Sequence, residues 1–276
     1  MSVGEHEFTL NNRRVNYYEA GLHHSRSILL IHGGIGDAKQ NWYNIIPLLA
    51  EDYHVLAPDL PGFGGTEAVA GHKNLSDVTA WLIEFLKSQD VEQVIVIGNS
   101  FGALIARLMA VKYPQIVAGV IMSNGGYVPD VPSAVRLIMK IPIVSGILSG
   151  ILANIATSTE SLSEMIHQED AISPEFTACV KSNTSGYARL MKMTAIQPQS
   201  TNKPMVAMLI LWGVEDKSIP LAVGHKLKNA LASAEYIEIE NCGHFPHLEE
   251  PDIFEWHVKQ FLTKHNSVKR SEIPGT

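Results

Sequence analysis

The chain has little of what would place it in several common classes. Only two of its 276 residues are cysteine, Cys179 and Cys242. That is too few for a disulfide framework or a cysteine metal quartet, so both read as free thiols of a reducing compartment. The formal net charge is -7, and no basic cluster interrupts the body of the chain, so nucleic acid is not an expected partner. Charged residues make up 18% and hydrophobic ones 46%, which excludes disordered and fibrous chains. From Met1 to Glu7 no basic stretch leads into an apolar one, so no secretory signal is expected and cytoplasmic residence is the default. Neither G-x-G-x-x-G nor a Walker lysine-serine pair is present. The most apolar region, 129–156, is interrupted by Arg136, Lys140 and Pro142 and weakened by Gly146 and Gly150, so no continuous membrane span fits and stable insertion is not expected.

What is present is a strand-helix alternation long enough to bury a large core as one α/β domain with an insertion. Glu7 to Leu10 and Val15 to Glu19 read as a hairpin about Asn11-Asn12, and Ser27 to Ile31 as the first strongly buried strand. Trp42 to Leu49 reads as a helix and Tyr53 to Ala57 as a strand. Leu75 to Leu86 reads as an amphipathic helix with Ser76 as its candidate cap. Val94 to Ile97 and Val117 to Met122 are further buried strands, with a helix from Leu104 to Val111 stopped at Tyr113-Pro114. From Tyr127 to Ser200 only helices are signalled, one by Ser161 with Glu164 and one by Ser173-Pro174-Glu175. The sheet resumes at Met205 to Leu211, followed by a helix over Leu221 to Leu231, the strand Glu235 to Ile239 and a last helix from Pro251 to Leu262. This order predicts a mostly parallel sheet with helices on both faces, whose ligands gather at the C-terminal strand ends.

Chemistry concentrates at Gly98-Asn99-Ser100-Phe101-Gly102, where a buried strand turns into a helix. A serine on so tight a turn projects its hydroxyl from the strand end, with the Phe101 amide facing a developing oxyanion. After the first buried strand, His32-Gly33-Gly34-Ile35-Gly36-Asp37 offers the Gly34 amide as a second donor, and His32 reads as a structural histidine bonded to backbone. Trp212-Gly213-Val214-Glu215-Asp216 and Asn241-Cys242-Gly243-His244 follow two later strands. Ser100, an acid and His244 thus stand in the order serine, acid, histidine. Asp216 is preferred to Glu215 because it lies farther into its loop. Asp59 is expected to bond loop amides. His244 and His247 form H-x-x-H, with Glu249 and Glu250 after them, but not the helical H-E-x-x-H arrangement, and no metal is assigned.

In these motifs, together with Asp59 to Thr66 and Gly243-His244-Phe245-Pro246-His247, the chain resembles the α/β-hydrolase superfamily, in its capped branch of small serine esterases, cofactor-free perhydrolase-like enzymes and carbon-carbon bond hydrolases. The resemblance implies an α/β-hydrolase fold with a helical cap. The core would occupy 1–126 and 201–264, the cap 127–200 and a flexible tail 265–276. It also implies that the carboxylate of the Gly-x-x-Asp loop, Asp216, is the acid. In some relatives the acid follows the preceding strand, where this chain has Ser123 and Asn124. An aspartate nucleophile, as in haloalkane dehalogenases and epoxide hydrolases, is replaced here by Ser100.

The expected activity is cofactor-free hydrolysis of a small, largely apolar carboxylic ester or lactone through an acyl-enzyme. The alternatives are carbon-carbon cleavage of a vinylogous diketone, or a ligand-binding protein that keeps the fold. Related carbon-carbon hydrolases often carry a Ser-Gly-Pro-Gly-like loop and a tryptophan beyond the histidine, where this chain has Gly34-Ile35-Gly36-Asp37 and Phe245-Pro246. Arg136 or Arg189 would have to bind an acidic substrate, against the plainer reading of exposed cap arginines. Trp42, Tyr127, Met139 and Met191 are the candidate substrate contacts, and Val128 to Ile155 is expected to form much of an apolar wall over Ser100.

Overall fold

Aliphatic runs such as Val94-Ile95-Val96-Ile97 have no polar side to offer solvent, and they fold as strands covered on both faces. The computed structural model describes residues 2–128, 131–197 and 202–265. Its strands are β1 (Gly4–Leu10), β2 (Arg13–Ala20), β3 (Ser27–Ile31), β4 (His54–Pro58), β5 (Val94–Asn99), β6 (Val117–Ser123), β7 (Ala207–Gly213) and β8 (Glu235–Ile239). They form one sheet in the order β1-β2-β4-β3-β5-β6-β7-β8. β1 with β2 and β2 with β4 are antiparallel, and every other pair is parallel. Asn11 and Asn12, both with positive φ, make the β1–β2 turn.

The helices are α1 (Ala38–Trp42), α2 (Ile45–Leu49), α3 (Leu75–Ser88), α4 (Phe101–Lys112), α5 (Ser133–Ile138), α6 (Pro142–Ala156), α7 (Thr159–Met165), α8 (Pro174–Ser182), α9 (Thr184–Ala195), α10 (Leu221–Ala230), α11 (Pro246–Glu249) and α12 (Pro251–Lys264). Strand alternation divides the core between them. Leu29, Ile31 and Val96 pack with α3 and α4. Ile28, Leu30 and Ile97 point the other way, onto α2 and α12. Helices α5 to α9 form the cap, inserted between β6 and β7.

Three local expectations need correction. The helix expected over Trp42 to Leu49 is two short helices, because Asp37 caps α1 from Gln40 and Pro47 has no N–H for the Tyr43 carbonyl. Asn74, not Ser76, caps α3: it exchanges hydrogen bonds with Asp77 in a capping box. Ser158, not Ser161, caps α7, and Ser161 donates its N–H to the Ser158 hydroxyl. The expected tail, with Lys269 and Arg270, lies outside the described residues from 266 onward.

Candidate active site

The turn between β5 and α4 holds Ser100 at φ 56° and ψ -120°, a conformation that costs a non-glycine residue energy. Its flanking glycines are steric necessities. A Cβ on Gly98 would lie 2.3 Å from the Gly102 carbonyl, and one on Gly102 would lie 2.1 Å from the Ile31 oxygen. The Ser100 N–H is anchored to the Ser123 carbonyl at 2.9 Å, which binds the turn to the neighbouring strand end.

Two loops farther along the sheet meet beside it. His244 Nδ1 lies 2.6 Å from Asp216 Oδ2, with both side chains almost fully buried. Asp216 also accepts the Ser218 N–H at 2.9 Å, the Ser218 hydroxyl at 2.7 Å, the Ile219 N–H at 2.9 Å and Asn124 Nδ2 at 2.8 Å. Burial pushes this carboxyl up, but the His244 charge and these hydrogen bonds outweigh it and hold the carboxyl below its ordinary range. A carboxylate at that position requires His244 to present Nδ1–H to it, leaving Nε2 as the ring nitrogen free to accept a proton. Glu215 turns elsewhere and accepts the Cys242 N–H at 2.8 Å. The backbone around His244 is held from both sides of the site. Asn99 Nδ2 donates to the His244 carbonyl at 2.9 Å, and the His244 N–H donates to the Met165 carbonyl of the cap at 2.6 Å.

Ser100 and His244 line one cavity of about 510 Å³ between sheet and cap. Phe101 and Ile35 form its floor beside the serine, and Met165, Tyr187 and Thr194 descend from the cap. Trp212, Ile219 and Val223 close the side toward α10, where Lys226 is the one lysine or arginine among the described residues on the lining. Among the described residues, neither the Gly34 nor the Phe101 N–H has a hydrogen-bond acceptor. The Phe101 and Tyr187 rings pack against the Gly34 Cα, leaving no room there for a side chain.

Of the four candidate substrate contacts, Tyr127 lines this cavity and the others do not. Trp42 is fully buried on the opposite face of the sheet, its ring tilted against His247 at 4.3 Å and beside Phe254. Met139 is buried at the end of α5, and Met191 packs into the cap's own core. No residue of the apolar stretch 131–156 reaches the lining, so the expected Val128 to Ile155 wall is replaced by Met165, Tyr187 and Thr194 from later cap elements. Arg189 is tied to the Gly62 carbonyl at 2.9 Å outside the cavity, and Arg136 to the Val131 carbonyl.

His32 is fully buried. Its Nε2 accepts the Leu60 N–H at 2.9 Å and its Nδ1 donates to the Gly33 carbonyl at 2.7 Å, with burial lowering its pKa to about 4. Asp59 accepts N–H groups of Ala38 and Gly65 and the Asn16 amide, and burial raises it to about 6. His247 faces Asn41 rather than His244, and among the described residues no three His, Cys, Asp or Glu side chains converge as metal ligands.

One position that braces the candidate site escaped sequence reasoning. The buried Glu249 carboxylate accepts backbone N–H groups from Gly243 at 3.1 Å and Phe245 at 3.1 Å, on either side of His244. It also accepts those of His167 at 2.7 Å and Gln168 at 3.0 Å from the cap. A carboxylate five residues after a histidine is too common a pattern to single out.

The chain is 25% identical over 266 residues to the 2-hydroxy-6-oxo-6-(2'-aminophenyl)hexa-2,4-dienoic acid hydrolase of Metapseudomonas resinovorans, covering 92% of this chain and 89% of that protein. It is 23% identical over 274 residues to the 2-hydroxy-6-oxononadienedioate/2-hydroxy-6-oxononatrienedioate hydrolase of Escherichia coli K12, covering 91% of each. A thermophilic esterase from Thermogutta terrifontis shares the fold with a TM-score of 0.76 at 19% identity, covering 97% of this chain and 100% of that one. Residues 28–255 match the model of the alpha/beta hydrolase family, and with its sheet order, helical cap and strand-end loops the chain belongs to that family.

Proposed function

We propose that this chain is a serine hydrolase of small organic molecules, with Ser100 as nucleophile, His244 as general base and acid, and Asp216 as the group that orients and charges His244. The observation that carries it is the 2.6 Å His244–Asp216 pair beside a strained serine on one apolar cavity. Ser100 Oγ would add to a substrate carbonyl while its proton passes to His244 Nε2. The free amides of Gly34 and Phe101 would receive the oxyanion, and loss of one such donor costs about 3 kcal/mol of transition-state stabilisation.

The favoured reaction is carbon-carbon hydrolysis of a vinylogous diketone, because two relatives aligned over nine-tenths of the chain carry names of dienoate hydrolases. This replaces the ester reading drawn from the loop departures. The bond between the attacked carbonyl carbon and its neighbour breaks, and its electron pair leaves on a carbon conjugated to the second carbonyl. His244 returns its proton to that carbon. Water, deprotonated by His244, then releases the acid from Ser100.

Ester or lactone hydrolysis is the second reading. A specific feature favours it: among the described residues the cavity wall carries no arginine, and Arg189 is held away on the Gly62 carbonyl.

A substrate panel of esters, thioesters, lactones and vinylogous diketones, with S100A as the blank, separates them. Preferred turnover of diketones, lost in S100A, is expected, and S100A-sensitive turnover of esters alone would install the second reading. A serine-directed phosphonate should label Ser100, and labelling elsewhere with S100A still active would reject the site. Absence of S100A-sensitive turnover on any substrate would favour a binding protein.

A further inference from the structure

Helix α6 is built inside out. Its buried face is a row of small residues, Ser145, Ser149 and Ala153, spaced four apart, while Ile143, Ile147 and Ile155 are 76%, 62% and 58% exposed. The inner row packs on α9. Its serine hydroxyls are turned back onto the helix's own carbonyls, Ser145 to Pro142 and Ser149 to Ser145. In water the large aliphatic residues of a cap helix belong on the inner face. Small residues inward and branched aliphatics outward is the arrangement of a helix whose outer surroundings are hydrocarbon.

The pattern extends beyond one helix. Of the 15 large hydrophobic side chains exposed among the described residues, 10 lie between Val135 and Ile155, on α5 and α6 and the link between them. Such a concentration exceeds the scattered apolar exposure of an ordinary surface.

We infer that this cap face docks on an anionic lipid surface. The charge pattern selects that occupant over a second copy of the chain. From Val131 to Thr159 there is no Asp or Glu, and the two charged residues are Arg136 and Lys140, in a chain of net charge -7. Two cations beside an aliphatic face complement an anionic bilayer, whereas on a second copy the same two cations would meet like charges with no acidic partner on the segment. Residues 131–159 also contain no aromatic residue, the anchor type most enriched at the centre of protein interfaces. With 15 residues, α6 spans about 22 Å, short of a hydrocarbon core of about 30 Å. It therefore lies in the plane of the interface. Among the described residues no single helix is long and apolar enough to cross. The docked face sits one helix above the cavity, because α6 rests on α9, which supplies Tyr187 and Thr194 to the lining.

Full-length protein is sedimented with phosphatidylcholine vesicles with and without phosphatidylglycerol. Binding to the anionic vesicles is expected, weakened by salt and by K140E. The variant I143S/I147S/I151S should bind roughly 100-fold more weakly, from the apolar area it withdraws. These positions are on the outer face, so its melting temperature should match that of the parent. I147E gives an independent check at one position. The inference is overturned if the parent stays in the supernatant with anionic vesicles, or if the triple variant or I147E binds them as well as the parent does. It is equally overturned if the parent forms a dimer that I147E dissolves while neither binds vesicles, since a second copy then owns this face.

Discussion

Glu249 offers the sharpest test of how cap and site are joined. Its Oε2 receives three N–H groups, from His167, Gln168 and Gly243, and its Oε1 receives that of Phe245. Two of the donors flank His244 and two belong to the segment after α7, so one buried carboxylate holds the histidine loop and the cap together. Glu249→Gln keeps the shape and removes the charge. With its oxygen placed at the triple position, its NH₂ meets the Phe245 N–H, donor against donor. One unsatisfied buried donor costs about 1–3 kcal/mol, and three charge-assisted bonds become neutral ones, so the variant should lose about 2–4 kcal/mol of stability. Urea unfolding followed by the fluorescence of buried Trp42 and Trp212 reads this directly. Because His244 loses its lateral supports, turnover should fall about 10- to 100-fold even under conditions where the variant is fully folded. Limited proteolysis should also open near 167–172, where the cap is released. A variant within about 0.5 kcal/mol of the parent, with unchanged turnover, would refute the latch.

The buried His247 gives a pH test, since burial and the nearby His244 charge lower its pKa from 6.5 to about 3. Between those values the unfolded chain binds a proton that the native chain does not, so stability falls as pH falls. Against a His247→Phe variant, the parent should lose about 3 kcal/mol between pH 6.5 and 4, and parallel stability curves would contradict it. Lys226 at the cavity edge separates substrate classes: Lys226→Met should raise KM for anionic substrates about tenfold and leave neutral esters unchanged, whereas an equal effect on both would remove it from recognition.

What was legible beforehand was whatever rests on backbone and on continuous burial. A central parallel strand is apolar on both faces, so Ser27 to Ile31 was bounded to the residue and β5 and β6 nearly so; the edge strand Glu235 to Ile239, only partly buried, was bounded by the alternation of Tyr236, Ile237 and Ile239 with glutamates. The elbow was legible because Gly98 and Gly102 are required by contacts within a few residues and with one adjacent strand. Asp216 was preferred over Glu215 by its place in the loop, and the structure sets Asp216 on His244 and Glu215 on Cys242. At the alternative acid position stands Asn124, which donates to Asp216 and accepts the Gly213 N–H, so that strand end supports the carboxylate.

The cap resisted the same reasoning for a physical reason. Periodicity reveals the buried face of a helix only when the other face is polar, and α6 has large aliphatic residues on one side and small ones on the other, with no charge on either. Hydrophobicity alone assigned its isoleucines to a substrate wall, but the cavity is walled on that side by Met165 from α7 and by Tyr187 and Thr194 from α9. Trp42 failed similarly: an aromatic residue just after a strand-end loop fits a pocket and a core equally well until the sheet face is known. Glu249 is invisible for a further reason, because its partners are four backbone amides, which carry no side-chain signature. The residues proposed to carry chemistry were readable because chemistry demands particular side chains. The parts that aim the chemistry act through packing and main chain, where many sequences serve, and they are where substitutions such as Glu249→Gln should have their largest unannounced effects.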